Sequence, residues 1–154
     1  MSLRETFTEQ MKSAMKSGDK QRVATLRLVL AALKDRDIAN RTEDSRELLG
    51  DDEILTLLAK MIKQREESAE TYDKGNRPEL AAQERTEIAI IREFMPKQMD
   101  EAEAKAAAKA VIAELGAGAM KDMGRVMAAL KDRYAGQMDF AKASGLVKDL
   151  LSGK

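Results

Sequence analysis

The stretch Asp19-Lys-Gln-Arg-Val-Ala-Thr-Leu-Arg-Leu-Val-Leu-Ala-Ala-Leu-Lys-Asp-Arg-Asp-Ile-Ala-Asn40 decides the fold class. Val23, Leu26, Leu30 and Leu33 recur at intervals of three and four, which lines one face of an α-helix rather than one face of a strand. Asp19 stands where an N-cap carboxylate would accept the first free backbone N–H groups, and the pattern carries the helix to about Asn40.

The chain before it reads the same way. Ser2 and Glu5 form a capping-box pair, and Leu3, Phe7, Met11 and Met15 place an apolar stripe on a helix that ends near Gly18. Residues 41–51 are mostly polar and show no sustained period, so a mobile loop is expected there. Helices resume with Asp51 or Asp52 as the cap, and Ile54, Leu58, Met61 and Tyr72 share a face. Lys63 with Glu67 and Glu70 with Lys74 set opposite charges four apart. Gly75 is placed to end this helix in a left-handed turn. Asn76 and Pro78 start a fourth helix, with Leu80, Ile88, Ile91 and Met95 inward, and Pro96 stops it.

Beyond Pro96, Asp100 and Glu103 repeat the capping-box pair before an alanine-rich helix bearing Val111, Ile112 and Leu115, which runs to Gly116. Met123, Val126, Met127, Leu130 and Tyr134 mark a sixth helix ending at Gly136. Phe140, Ala143, Val147 and Leu150 mark a seventh after Asp139. No strand signal emerges. The expected fold is all-α, a four-helix N-terminal domain over 1–96 packed with a small three-helix tail domain over 97–154. The tail, under sixty residues, is expected to lean on its neighbour.

Composition narrows the chemistry. The 154 residues hold ten Met, no Trp and 3% aromatics, so Leu, Ile, Val, Ala and Met must fill the core. With no His and no Cys, the commonest general base, zinc ligands and cysteine nucleophile are all missing. Neither a nucleophile elbow nor a phosphate loop occurs. Gly116-Ala-Gly118 lacks the third glycine and the preceding strand of a dinucleotide fingerprint and reads as a helix-to-helix turn. The acidic pairs Asp51-Asp52 and Glu66-Glu67 read as capping and solvation rather than as a metal site. No catalytic residue, metal or cofactor is therefore assigned. No apolar run of about eighteen residues occurs, so no membrane partner is expected, and the early charges of Arg4 and Glu5 lack the core of a signal peptide. A cytoplasmic location follows by default.

Lysine plus arginine and aspartate plus glutamate both number 27, giving zero formal charge, which argues against a nonspecific nucleic-acid coat. The charge is uneven, however. Residues 1–36 hold eight basic and four acidic groups, residues 37–96 nine and fifteen, and residues 97–154 ten and eight. A polyanion should meet the first or last segment. Lys20, Arg27 and Lys34 repeat at seven residues with Ala24 and Ala31 between them, a row about 21 Å long on a helix. It suits the backbone of an RNA, though long basic side chains also border helix cores with their stems on apolar surface. Arg125, Lys131, Arg133 and Lys142 supply further cations in the tail. With few aromatic residues to stack bases, shape and phosphate recognition of a folded RNA is the more fitting mode.

Several segments together resemble the YqeY family. They are Met11-Lys-Ser-Ala-Met-Lys16 with Asp19-Lys20 and Arg22, Leu26-Arg27 and Ala31-Ala-Leu-Lys34; then Lys63-Gln-Arg-Glu-Glu-Ser68, Lys74-Gly-Asn-Arg77, Glu87-Ile-Ala-Ile-Ile91 and Pro96-Lys-Gln98. Asp122-Met-Gly-Arg-Val-Met127, Gly136-Gln-Met-Asp139 and Leu146-Val-Lys148 are similar to the tail shared with the tRNA-dependent amidotransferase B subunit. The resemblance implies an all-helical two-part fold. It also implies kinship with an enzyme that amidates misacylated glutamyl- or aspartyl-tRNA with glutamine nitrogen, a carbon–nitrogen ligase. There the tail helps hold tRNA, while the chemistry occurs in parts absent here. Gln137 departs from the basic residue that relatives often place after the turn glycine, which weakens the implied contact. Three readings follow: a noncatalytic tRNA-associated module, a helix-mediated docking module for a protein of the translation machinery, and an accessory to glutamine-dependent amidotransferase activity.

Overall fold

The computed structural model describes residues 2–153; Met1 and Lys154, at the outer ends of the two expected domain ranges, lie outside the described residues. The fold is all-α, with no strand among the described residues. Its helices are α1 (Leu3–Ser17), α2 (Lys20–Ala39), α3 (Asp51–Lys74), α4 (Pro78–Arg92), α5 (Glu101–Leu115), α6 (Met123–Arg133) and α7 (Phe140–Leu151), with a single 3₁₀ turn at Met120–Asp122. The chain divides into two compact units, Met1–Met95 and Pro96–Lys154.

In the first unit the Ser2–Glu5 capping box is formed in both directions, and α1 ends at Gly18 with φ +75°. Phe7 is fully buried, but Met15 is 57% exposed, and Ala14 takes the inward place one residue earlier. Four-residue steps drift around a helix of 3.6 residues per turn, so the stripe leaves the core by its fourth member. From α2, Val29 and Leu33 turn inward to meet Ile54, Leu57, Leu58 and Met61 of α3 and Ile88 and Ile91 of α4, and Leu26 is fully buried. Each such side chain contributes about 1.5–3 kcal/mol by leaving water. Phe7 meets Phe94 edge to face, with ring centres 5.0 Å apart. Arg65 of α3 donates to Glu87 of α4 at 2.9 Å and to the Met61 carbonyl, which ties the α3–α4 hairpin beside its core.

Four expected details differ. The N-cap of α3 is Gly50, not Asp51 or Asp52. Asp51 sits in the first turn, and its carboxylate accepts the Leu3 N–H at 3.1 Å, so a long-range bond takes the place of a local cap. The left-handed residue between α3 and α4 is Asn76, φ +58°, while Gly75 keeps φ −85°. Helix α4 ends at Arg92, and residues 93–95 form a turn before Pro96. Of the two expected charge pairs on α3, Glu70 and Lys74 meet at 3.7 Å, whereas Lys63 and Glu67 are not paired.

In the second unit the Asp100–Glu103 capping box starts α5, and Gly116 ends it at φ +64°. Val111, Val126, Leu130 and Val147 form the centre of its own core, with Ala107, Ala108 and Ala143 allowing the three helices to approach closely. Asp139 caps α7 by accepting the Ala141 and Lys142 N–H groups. The Met99 N–H donates to the Gln137 carbonyl at 2.7 Å, and the Gln98 side chain donates to the Gly136 carbonyl, so the strand of chain entering α5 is fastened to the α6–α7 turn.

Candidate nucleic-acid interface

Helix α2 presents a divided surface. Asp19 accepts the Arg22 N–H at 3.1 Å at its start, and Leu26, Val29 and Leu33 anchor its inner side. Arg22 is tied down as well: its guanidinium donates to Glu93 at 2.5 Å and to Gln10 at 3.0 Å. Lys20, Arg27 and Lys34 instead lie exposed on the outer side, none of them in an ion pair among the described residues. Seven residues are close to two helical turns, so the three cations stand in a row with steps of about 10.5 Å. Ala24 and Ala31 lie exposed within the row, flanked by Leu28 and Ile38, each 47% exposed. Asp35 shares this face. Lys20 also borders a shallow groove that holds Glu79 and Glu87 of α4, so the field is weaker at that end of the row.

The tail cations are arranged otherwise. Arg133 grips Glu114 with two bonds, at 2.6 and 2.9 Å, and holds that carboxyl below the usual range. Arg125 donates to Asp122 at 2.9 Å, and the same carboxylate accepts the Gly118 and Ala119 N–H groups. These bonds lower the Asp122 pKa, that from Arg125 most. Two of the four tail candidates are thus engaged with acids of their own unit. Lys131 and Lys142 are exposed and unpaired among the described residues. Gln137, at the turn between α6 and α7, accepts the Met99 N–H with its backbone carbonyl.

A feature that the apolar periodicity concealed lies at the other end of α2. Asp37 is buried, and its carboxylate accepts Arg4 Nη1 at 2.8 Å, Arg4 Nη2 at 2.6 Å and the Leu49 N–H at 3.0 Å. Arg4 also donates to the Leu49 carbonyl. The Arg4 guanidinium, helped by the Leu49 N–H, holds the Asp37 carboxyl below its ordinary pKa against the opposing effect of burial. One carboxylate therefore fastens α1, α2 and the end of the loop 41–50 together. The sequence signal was present: Asp37 continues the stripe of Leu26, Leu30 and Leu33, where a charge needs a partner.

The family model for Yqey-like proteins matches residues 4–151. The chain belongs to the YqeY family. Among curated proteins, this YqeY-family chain is 33% identical over 99 residues to the Lachancea thermotolerans "Altered inheritance of mitochondria protein 41, mitochondrial", covering 64% of this chain and 51% of that one. It is 30% identical over 86 residues to the protein of the same name in Kluyveromyces lactis, covering 56% and 44%. An uncharacterised protein of Schizosaccharomyces pombe is 30% identical over 95 residues, covering 62% and 73%. The chain spans about half the length of the first of these relatives. The names of two relatives place them in mitochondria, which overturns the default to the cytoplasm. That default rested on the lack of an apolar signal core, and an apolar core marks secretion rather than organellar import.

Proposed function

We propose that this YqeY-family chain is a noncatalytic helical module that associates with tRNA by holding its phosphate backbone along α2. The observation that carries the reading is the exposed row of Lys20, Arg27 and Lys34, unpaired among the described residues, on a helix whose opposite side is fixed in the core. The resemblance of the tail to the amidotransferase B subunit supports the same ligand, with Lys131 and Lys142 as the tail's open cations. Neither His nor Cys is available, and Asp51 at the α3 start serves a backbone contact to Leu3, so the role assigned is holding rather than chemistry.

Mobility-shift titration with total tRNA at low salt tests this. Binding is expected at about 10–100 μM, with the triple variant K20E/R27E/K34E weaker by at least about tenfold and its salt slope smaller by roughly 2–3. No shift below about 100 μM, or a shift unchanged by the triple variant, refutes it. The purified chain is expected to show no glutaminase activity. A second reading, docking of a partner protein's helix, draws support from Leu28 and Ile38, apolar side chains left half in water on the same face.

A further inference from the structure

We propose that the α2 face holds a double-helical RNA stem, lying along its shallow minor groove, rather than a single strand. The inference rests on the RNA-holding role proposed above and names the form of RNA that the face fits.

Rigidity is the first argument. Lys20, Arg27 and Lys34 are fixed to one helix whose inner side is locked by Leu26, Val29 and Leu33. A row of cations with fixed steps over about 21 Å matches a polyanion whose phosphates are themselves fixed. A flexible strand must be ordered to meet the same row, which subtracts from its affinity.

The second argument is what the face lacks. Single strands are held by stacking bases on exposed aromatic rings. Helix α2 has no aromatic residue. Phe7 is buried, and Tyr72, Phe94, Tyr134 and Phe140 are half-buried.

The third argument is relief. Between the cations stand Ala24, which lines the shallow groove toward α4, and the exposed Ala31, so small side chains separate the cations and the helix backbone can come close to a surface. The minor groove of an A-form duplex is wide and shallow and is recognised by shape, phosphates and 2′-hydroxyls. Leu28 and Ile38 beside the alanines suit the apolar edges of ribose. In B-form DNA the minor groove is narrow, and the major groove, which admits a helix, presents no 2′-hydroxyls for this face to meet. Asp35 on this face, and Glu79 and Glu87 of α4 in the groove beside Lys20, oppose any polyanion.

The test displaces labelled tRNA from the full chain with three unlabelled competitors of about 16 base pairs or 16 nucleotides: duplex RNA, single-stranded RNA and duplex DNA. Duplex RNA is expected to compete at least about tenfold better than the other two. The variant A24Q/A31Q raises the relief at exposed positions with a helix-tolerant residue. It should lower duplex affinity about tenfold while leaving single-strand affinity within about twofold. Failure of tRNA to bind removes the holding role and this proposal with it. Bound tRNA displaced equally well by single-stranded RNA or duplex DNA, or an A24Q/A31Q variant that weakens all competitors alike, overturns only the proposal. Displacement by a glutamate-rich amphipathic peptide at lower concentration than by duplex RNA overturns it too and gives the face to a protein helix.

Discussion

Replacing Arg4 by Met should weaken the first unit far more than the loss of an ordinary surface charge. Asp37 has a side chain 9% exposed and relies on Arg4, itself 27% exposed, for two of its three hydrogen bonds. Breaking a buried ion pair from one side costs about 3–5 kcal/mol, because the remaining charge stays desolvated. Water reaches Arg4, so the loss expected for R4M is about 2–3 kcal/mol. Replacing both partners, in R4M/D37L, removes the stranded charge and should be less damaging than R4M alone by at least about 1 kcal/mol. Urea unfolding followed by helical circular dichroism reads this directly. With a slope of about 1–3 kcal/mol per molar, R4M should lower the midpoint by about 1–2 M at unchanged slope. The Leu49 amide, bonded to Asp37, should exchange faster in the variant. Because the folded Asp37 pKa is lowered, its stabilisation is present above the unfolded carboxyl value of about 3.9 and fades as pH falls through the lower folded value. The difference between wild type and D37N should therefore shrink only below about pH 4. A loss under about 0.5 kcal/mol for R4M, or a double variant no better than R4M alone, would refute the account.

Two further substitutions probe local geometry. N76A should cost about 1 kcal/mol in thermal unfolding, since Asn76 holds φ +58°, whereas G75A at φ −85° should cost no more than about half of that; equal effects would contradict the turn. Burial raises the Glu84 carboxyl, with Glu87 adding to it and Arg65 opposing. A raised carboxyl favours folding when protonated, and that advantage is lost as pH rises through the folded value, so E84Q should raise the melting temperature at pH 7 and have little effect near pH 3.

The helices were legible because their apolar residues follow a 3.6-residue period and their starts carry reciprocal caps at Ser2–Glu5 and Asp100–Glu103. Details set by partners far away in sequence were not. Asp51 looks like a cap, yet its carboxylate turns to Leu3, forty-eight residues earlier. Gly75 looks like the left-handed residue, but Asn76 tolerates that conformation and takes it, which leaves Gly75 in an ordinary one. Met15 continues a stripe on paper while the core has already curved away from it. For the candidate site, the spacing of Lys20, Arg27 and Lys34 gave their shared face. The engagement of Arg125 and Arg133 depends on where Asp122 and Glu114 fall in three dimensions, which a list of cations does not reveal.

The Arg4–Asp37–Leu49 knot also bears on how the chain acquires its structure during synthesis. Every residue of that knot, and every residue of the core from Phe7 to Ile91 around it, precedes Pro96. The first unit thus has all its internal partners once its last helix has left the ribosome. It is able to close while the remaining residues are still being translated, and nascent chains fold in this domain-by-domain manner. The reciprocal cap at Asp100 and Glu103 then gives the later segment its own starting point.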